Sequence, residues 1–132
     1  MQTLQTYNPG QILDDGSIVI EHQPRTIFYN ERLLVVAPRT TVIVCNWTPE
    51  FKPVFDKLKE KGFNPSDWFI PSIDQLRKVY ESTPESFDLC CYWSSDEDDR
   101  GNALSFYFEN GKTYTDHKPV TLRTRAFRKI EL

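Results

Sequence analysis

Little in this chain commits it to covalent, metal-dependent or polyanion-binding chemistry. Its 132 residues include five glycines, three cysteines and two histidines. No glycine-rich phosphate loop, serine-elbow motif or carboxylate pair of interpretable spacing is present. Cys45, Cys90 and Cys91 are odd in number and two are adjacent, a poor framework for a secreted disulfide scaffold. A reducing compartment is expected, with the protein cytoplasmic or assembled into a virion. With His22 and His117 the cysteines give neither paired zinc-ligand spacing nor a nucleophile beside its base, so buried inert thiols are expected and an enzyme is not.

A basic excess is also missing. Sixteen Lys and Arg face nineteen Asp and Glu, giving a formal charge of -3 and a pI of about 5.4, so no global positive field exists to hold nucleic acid. Met1 to Gly10 lacks a basic cluster followed by an apolar run, and no window approaches the length of a membrane span. Neither export by a standard signal nor membrane insertion is expected. Repeats, linkers and low-complexity segments are absent from the sequence.

What is present is a globule's composition: 39% apolar residues, 14% of all residues aromatic, and a length suited to one domain over 1–132. Asn8-Pro9-Gly10 and Asp14-Asp15-Gly16 read as turns, the second leading into a strand at Ser17 to Ile20. Thr26 to Tyr29 and Arg32 to Ala37 are rich in branched and aromatic residues and predict two strands joined at Asn30-Glu31; Thr41 to Cys45 predicts another. The period then changes. Phe51, Val54, Phe55 and Leu58 predict a helix starting near Pro53, with Lys57, Lys59, Glu60 and Lys61 on its solvated side. Ser72 with Gln75 forms a capping-box pattern, and Ile73, Leu76, Val79 and Tyr80 supply the buried stripe of a second helix ending near Glu81. Phe87 to Trp93 predicts an extended segment. After the polar loop Asp96 to Asn102, Leu104, Phe106 and Phe108 alternate with polar neighbours, Asn110-Gly111 suits a two-residue hairpin turn, and Lys112 to Thr115 should return antiparallel. A last strand is expected over Thr121 to Ile130.

An ordered set of short signatures runs through these elements. It comprises Asp15-Gly16-Ser17-Ile18-Val19, Leu33 to Ala37, Ser66-Asp67-Trp68-Phe69-Ile70-Pro71-Ser72 with Gln75, Leu76 and Tyr80, then Tyr92-Trp93-Ser94-Ser95. Phe108-Glu109-Asn110-Gly111, Lys118 and Arg125-Ala126-Phe127-Arg128 complete it. From about Gly10 to Arg128 the chain resembles a domain family of unknown function. That family is typified by the C-terminal domain of the Legionella collagen-like adhesin and is related to the Fibrobacter major paralogous domains. The resemblance implies an α+β, C-type-lectin-like fold: two helices packed on a small twisted, mostly antiparallel sheet, with a loop-rich face. It also implies that Trp68 and Trp93 are core aromatics, that Ser94 and Ser95 satisfy backbone groups where a strand ends, and that Arg125 and Arg128 pair with carboxylates or carbonyls inside the domain. The sequence departs from the family at Phe69-Ile70, where arginine and leucine are usual, and in its heavier acidic run after Ser95.

One fold hosts many functions, so the site must be argued from residues. The expected function is non-enzymatic recognition of a glycan or protein surface, with an adhesion tip or bacteriophage virion or tail component as its setting. The alternative is a cytosolic interaction factor, such as a phage-encoded inhibitor of a host enzyme or defence system. The residues expected to meet the ligand are Asp96, Glu97, Asp98, Asp99 and Asn102, with Tyr107 and Tyr114 beside them. Calcium suits converging oxygen ligands, but consecutive carboxylates lack the spaced pattern of a calcium loop, so no cofactor is expected. Self-association is among the partnerships anticipated; nucleic acid and membrane are not.

Overall fold

Alternating and helical apolar periods produce the α+β arrangement expected of the sequence. A computed structural model describes residues 7–132, and the first six residues of the domain expected over 1–132 lie outside the described residues. The strands are β1 (Ile18–Gln23), β2 (Arg32–Val36), β3 (Ile43–Asn46), β4 (Cys91–Glu97), β5 (Ala103–Tyr107), β6 (Lys112–Asp116), β7 (Thr121–Thr124) and β8 (Phe127–Glu131). The helices α1 (Lys52–Glu60) and α2 (Ile73–Ser82) lie between β3 and β4 in the chain.

The strands form two sheets rather than the single small sheet expected: β1-β2-β8, and β3-β7-β4-β5-β6. Pairing is antiparallel except between β4 and β7. In β2 and just beyond it, Leu33, Val35 and Ala37 join one apolar cluster with Val54 and Leu58 of α1. Leu34 and Val36 join another with Ile73, Leu76 and Val79 of α2. The three-stranded sheet is thus covered on both faces, which explains why Leu33 to Ala37 is a continuous apolar run rather than an alternation. Each large aliphatic side chain so buried contributes about 1.5–3 kcal/mol.

Both helices start as their sequences direct. Pro53 occupies the first turn of α1, where its missing amide hydrogen costs nothing. Ser72 and Gln75 form the reciprocal capping box of α2.

Four local expectations are corrected. Thr26 to Tyr29 is not a strand: the Thr26 hydroxyl accepts hydrogen bonds from the amides of Phe28 and Tyr29, bending the chain into an exposed loop between β1 and β2. Phe87 to Cys90 is irregular, and the strand begins at Cys91. The hairpin between β5 and β6 uses four residues, Phe108 to Gly111, instead of two, because Phe108 turns inward to stack on Phe87 at 4.6 Å between ring centroids. Gly111 (φ 72°) remains necessary there, since a Cβ would lie 2.6 Å from the Tyr80 ring. Finally, Thr121 to Ile130 is two strands, β7 in one sheet and β8 in the other, broken at Arg125-Ala126.

The break has a specific cause. Arg125 is 1% exposed, and its guanidinium donates from Nε to the Ala37 carbonyl (2.7 Å) and from Nη1 to the Ser86 carbonyl (2.6 Å) while lying 4.8 Å over the Phe87 ring. Burial pulls its pKa down to about 10, which still leaves it charged at neutral pH. The internal role expected of Arg125 is therefore met by carbonyls, and Arg128 approaches the Asp67 carboxylate at 3.7 Å. A second tie joins the β3 segment to β4: Trp47 Nε1 donates to the Ser94 carbonyl (2.7 Å) and Trp93 Nε1 to the Cys45 carbonyl (2.9 Å).

Arg125→Met, which keeps the aliphatic stem and removes both donors, is expected to destabilise the protein by about 2–4 kcal/mol in urea unfolding. An unchanged midpoint would show that Ala37 and Ser86 do not depend on the guanidinium.

Candidate recognition surface

The acidic run is built into the fold before it can serve any ligand. Asp96 and Glu97 belong to β4, not to a loop, and only Asp98 to Asn102 make the connection into β5. Between Trp93 and Glu97 the register of β4 against β5 shifts, forming a bulge. Ser94 and Ser95 stabilise it: the Ser94 hydroxyl donates to the Leu104 carbonyl and accepts from the Asp96 amide, and the Ser95 amide donates to the Pro71 carbonyl. The bulge carries Asp96 to the start of α2, where its Oδ2 accepts from the Ile73 amide at 2.8 Å, as a carboxylate should at a helix N-terminus.

Glu97 pairs with Lys118 at 2.7 Å. Asp98 staples the turn from within, accepting from the amides of Arg100 and Asn102 and from the Asn102 side chain. The Asn102 amide bond is the main reason its pKa lies below the usual aspartate value of 3.8. Asp99 alone projects without a partner among the described residues. No group of three or more His, Cys, Asp or Glu is placed to hold a metal ion among the described residues.

Tyr107 and Tyr114 do not join this turn. Glu97 stands opposite Ala103 at one end of β5 and Cys91 opposite Tyr107 at the other, a separation of about 13 Å along the strand. The two tyrosine rings contact each other edge to face with centroids 6.2 Å apart. Tyr107 donates to Glu109, a hydrogen bond that pushes its pKa up to about 12, and Tyr114 accepts from Asn110 at 2.8 Å. The seven residues expected to meet a ligand therefore divide, with the acidic run at the Ala103 end of β5, Tyr107 at its other end and Tyr114 opposite Ser105 at its middle.

Among the cysteines, Cys45 is buried and Cys90 and Cys91 are half-buried, so only the first is the sealed thiol expected. Burial raises the Cys45 and Cys91 pKa values, which keeps both thiols protonated and poorly nucleophilic. His22 contacts Glu31 at 3.0 Å, whereas His117 lines a small cavity with Asp116 on a different part of the surface.

Two features were not foreseen as sites. The first is the β1–β2 loop, where Ile27, Phe28 and Tyr29 are 92%, 81% and 60% exposed in succession. Single exposed apolar side chains are ordinary, but three together at a loop tip form a patch that water disfavours. Arg25 precedes the tip, and Arg32 at its base lies 4.8 Å over the Tyr29 ring; neither makes an ion pair with a described residue. The β-branched and aromatic content suggested a strand, while Pro24, Thr26 and Asn30 were the signals of a turn.

The second is an aromatic groove of about 450 Å³ between α1 and the Trp68 to Ile70 segment, walled by Trp47, Phe55, Trp68, Phe69, Ile70 and Glu97. Phe51, at its base, has a left-handed backbone (φ 45°, ψ 43°), rare for an aromatic residue, and is held there by burial against Trp47. Trp68 is 5% exposed, yet its indole N–H has no acceptor among the described residues. Compared with known proteins, the chain matches no family model and no curated protein.

Because the folded pKa of Asp98 is depressed, its contribution to the turn is complete above the ordinary aspartate range and is lost as pH falls through the lower, folded value. NMR titration should show the Arg100 and Asn102 amides holding their native shifts down to below pH 3.8 and changing together under that value. A transition above the ordinary aspartate value would contradict the stapled turn.

Proposed function

We propose that the protein is a non-enzymatic recognition module, of C-type-lectin-like architecture, that binds another protein surface through the Ile27–Tyr29 tip. The succession of three exposed apolar side chains on one short loop carries this reading. Removing such a patch from water favours association, and large aromatic side chains dominate binding energy where they enter a partner's pocket. Arg25 and Arg32 beside the tip add donors suited to carboxylates and carbonyls.

A protein surface fits this tip better than a glycan does. Sugar recognition relies on polar side chains converging around hydroxyl groups, and the best polar candidates, Asp96, Glu97 and Asp98, already hold a helix start, a lysine and a turn. The architecture supports the lectin-like reading through the positions of Trp68 and Trp93 in the core and of Ser94 and Ser95 at the bulge. Those positions coincide with the roles that the family resemblance implies.

Ile27→Asp and Phe28→Asp are expected to leave the thermal midpoint unchanged within a few degrees, because neither side chain packs in the core. Each is expected to weaken partner binding at least tenfold, the signature of a side chain central to an interface. Affinity capture from the native host, scored by proteins retained by wild type and lost from both variants, provides the measurement. A partner retained equally by wild type and both variants, or a glycan bound through Asp99 and Asn102, would overturn the assignment.

A further inference from the structure

The face of the three-stranded sheet that packs on α2 is not covered along its whole length. Where the apolar contact of Leu34 with the helix cluster ends, β1, β2, β8 and the flank of α2 leave a recess of about 160 Å³. Its polar lining is Glu21 and Gln23 from β1, Arg32 from β2, Lys129 from β8, and Gln75 and Lys78 from α2. Strand register explains the gathering. Glu21 stands opposite Leu34, Leu34 opposite Lys129 and Gln23 opposite Arg32, so these side chains share one face of the sheet.

Three cations meet one carboxylate in this recess. Glu21 is already engaged, accepting from Lys78 at 2.9 Å and from Gln23 at 2.6 Å. Burial works to raise its pKa, but those hydrogen bonds and the charges of Lys78 and Arg32 outweigh it, so Glu21 stays ionised and cancels one positive charge of the three. Two further carboxylates lie just outside. Glu131 shares with Arg32 the separate hollow under the 25–30 loop, without an ion pair between them, and Asp67, beyond Lys129, is approached by Arg128 at 3.7 Å.

Hydrogen-bond donors are in excess as well. The Arg32 Nε–H is shut off from water and has no acceptor among the described residues, a costly state that a small turn toward an acceptor in the recess removes. Gln75 spends its side-chain carbonyl on the Ser72 amide, which leaves its NH2 group to donate. Arg32, Gln75 and Lys129 thus approach from a strand, a helix and a second strand, three separate directions.

We propose that this recess is a binding site for a phosphate group, either as the free ion or as the monoester end of a small molecule. Phosphate carries a charge of roughly -1.5 to -2 at neutral pH, which matches the two uncompensated cations, whereas a carboxylate supplies one. Its tetrahedral oxygens accept from donors arriving from several directions, and a guanidinium adds its planar fork of N–H groups. The recess is smaller than the usual ligand pocket of about 300–1,000 Å³. It therefore takes the phosphate and leaves any esterified remainder at the mouth. The site is separate from the Ile27–Tyr29 contact, although Arg32 borders both.

The experiment is NMR titration of the full chain with inorganic phosphate at constant ionic strength, in parallel with glycerol 3-phosphate and succinate. Phosphate is expected to move the amide signals of Arg32, Gln75 and Lys129 saturably and to raise the thermal midpoint. Lys129→Gln, at an exposed position, and Arg32→Gln are each expected to weaken binding about tenfold or more while the ligand-free midpoint stays within a few degrees. Glu21→Gln, which removes the one carboxylate of the recess, is expected to tighten binding several-fold, a gain that a purely structural role for these residues does not produce. Tighter binding of glycerol 3-phosphate than of phosphate identifies a monoester as the form taken, and the reverse order identifies the free ion; either upholds the site. Absence of saturable shifts, shifts unaltered in Lys129→Gln, weaker binding by Glu21→Gln, or succinate bound more tightly than phosphate overturns the proposal.

Discussion

A guanidinium sealed from solvent fixes how the two sheets meet. Arg125 sits where the chain leaves β7 and enters β8, and its two short hydrogen bonds reach the carbonyls of Ala37, just beyond β2, and Ser86, beyond α2. A buried charge tolerates few arrangements, because misplacing it strands both the charge and the carbonyls it serves. With β8 against β2, Phe127 in the α2 cluster and the 83–86 segment close by, Nε and Nη1 reach their carbonyls, while Nη2 has no hydrogen-bond partner among the described residues. The paired indoles of Trp47 and Trp93 do a related job at the other end of β4, where the bulge turns toward Pro71 and α2.

These constraints separate framework from free surface. Asp96 serves α2, Asp98 serves its own turn, Ser94 and Ser95 serve the bulge, and Glu97 is held by Lys118. What the framework leaves exposed is an apolar loop tip in water, and an aromatic groove lies open between α1 and the Trp68 to Ile70 segment. Phe69 and Ile70 both wall that groove.

Much of the fold was legible in the sequence because its signals were local. The capping box at Ser72 and Gln75, the proline in the first turn of α1 and the two helical stripes appear as written. The sheet switch was not legible: Thr121 to Ile130 reads as one strand, and only the distant carbonyls of Ala37 and Ser86 explain the break at Arg125. The engagement of the acidic run within the fold was not legible for a related reason. Charge density at Asp96 to Asp99 is visible in a sequence, but Asp96 is engaged by the Ile73 amide, 23 positions away, and Glu97 by Lys118. The tip was hidden by propensity, since Ile27-Phe28-Tyr29 favours a strand until the Thr26 hydroxyl and Pro24 turn it outward.

The central claim is that contact with other molecules is made by the apolar tip and not by the acidic turn. The most direct measurement is photo-crosslinking in the native setting, with a diazirine side chain placed at position 28 in one preparation and at position 99 in another. The account predicts a discrete protein adduct at position 28 and little at position 99. Adducts formed from position 99 alone would contradict it.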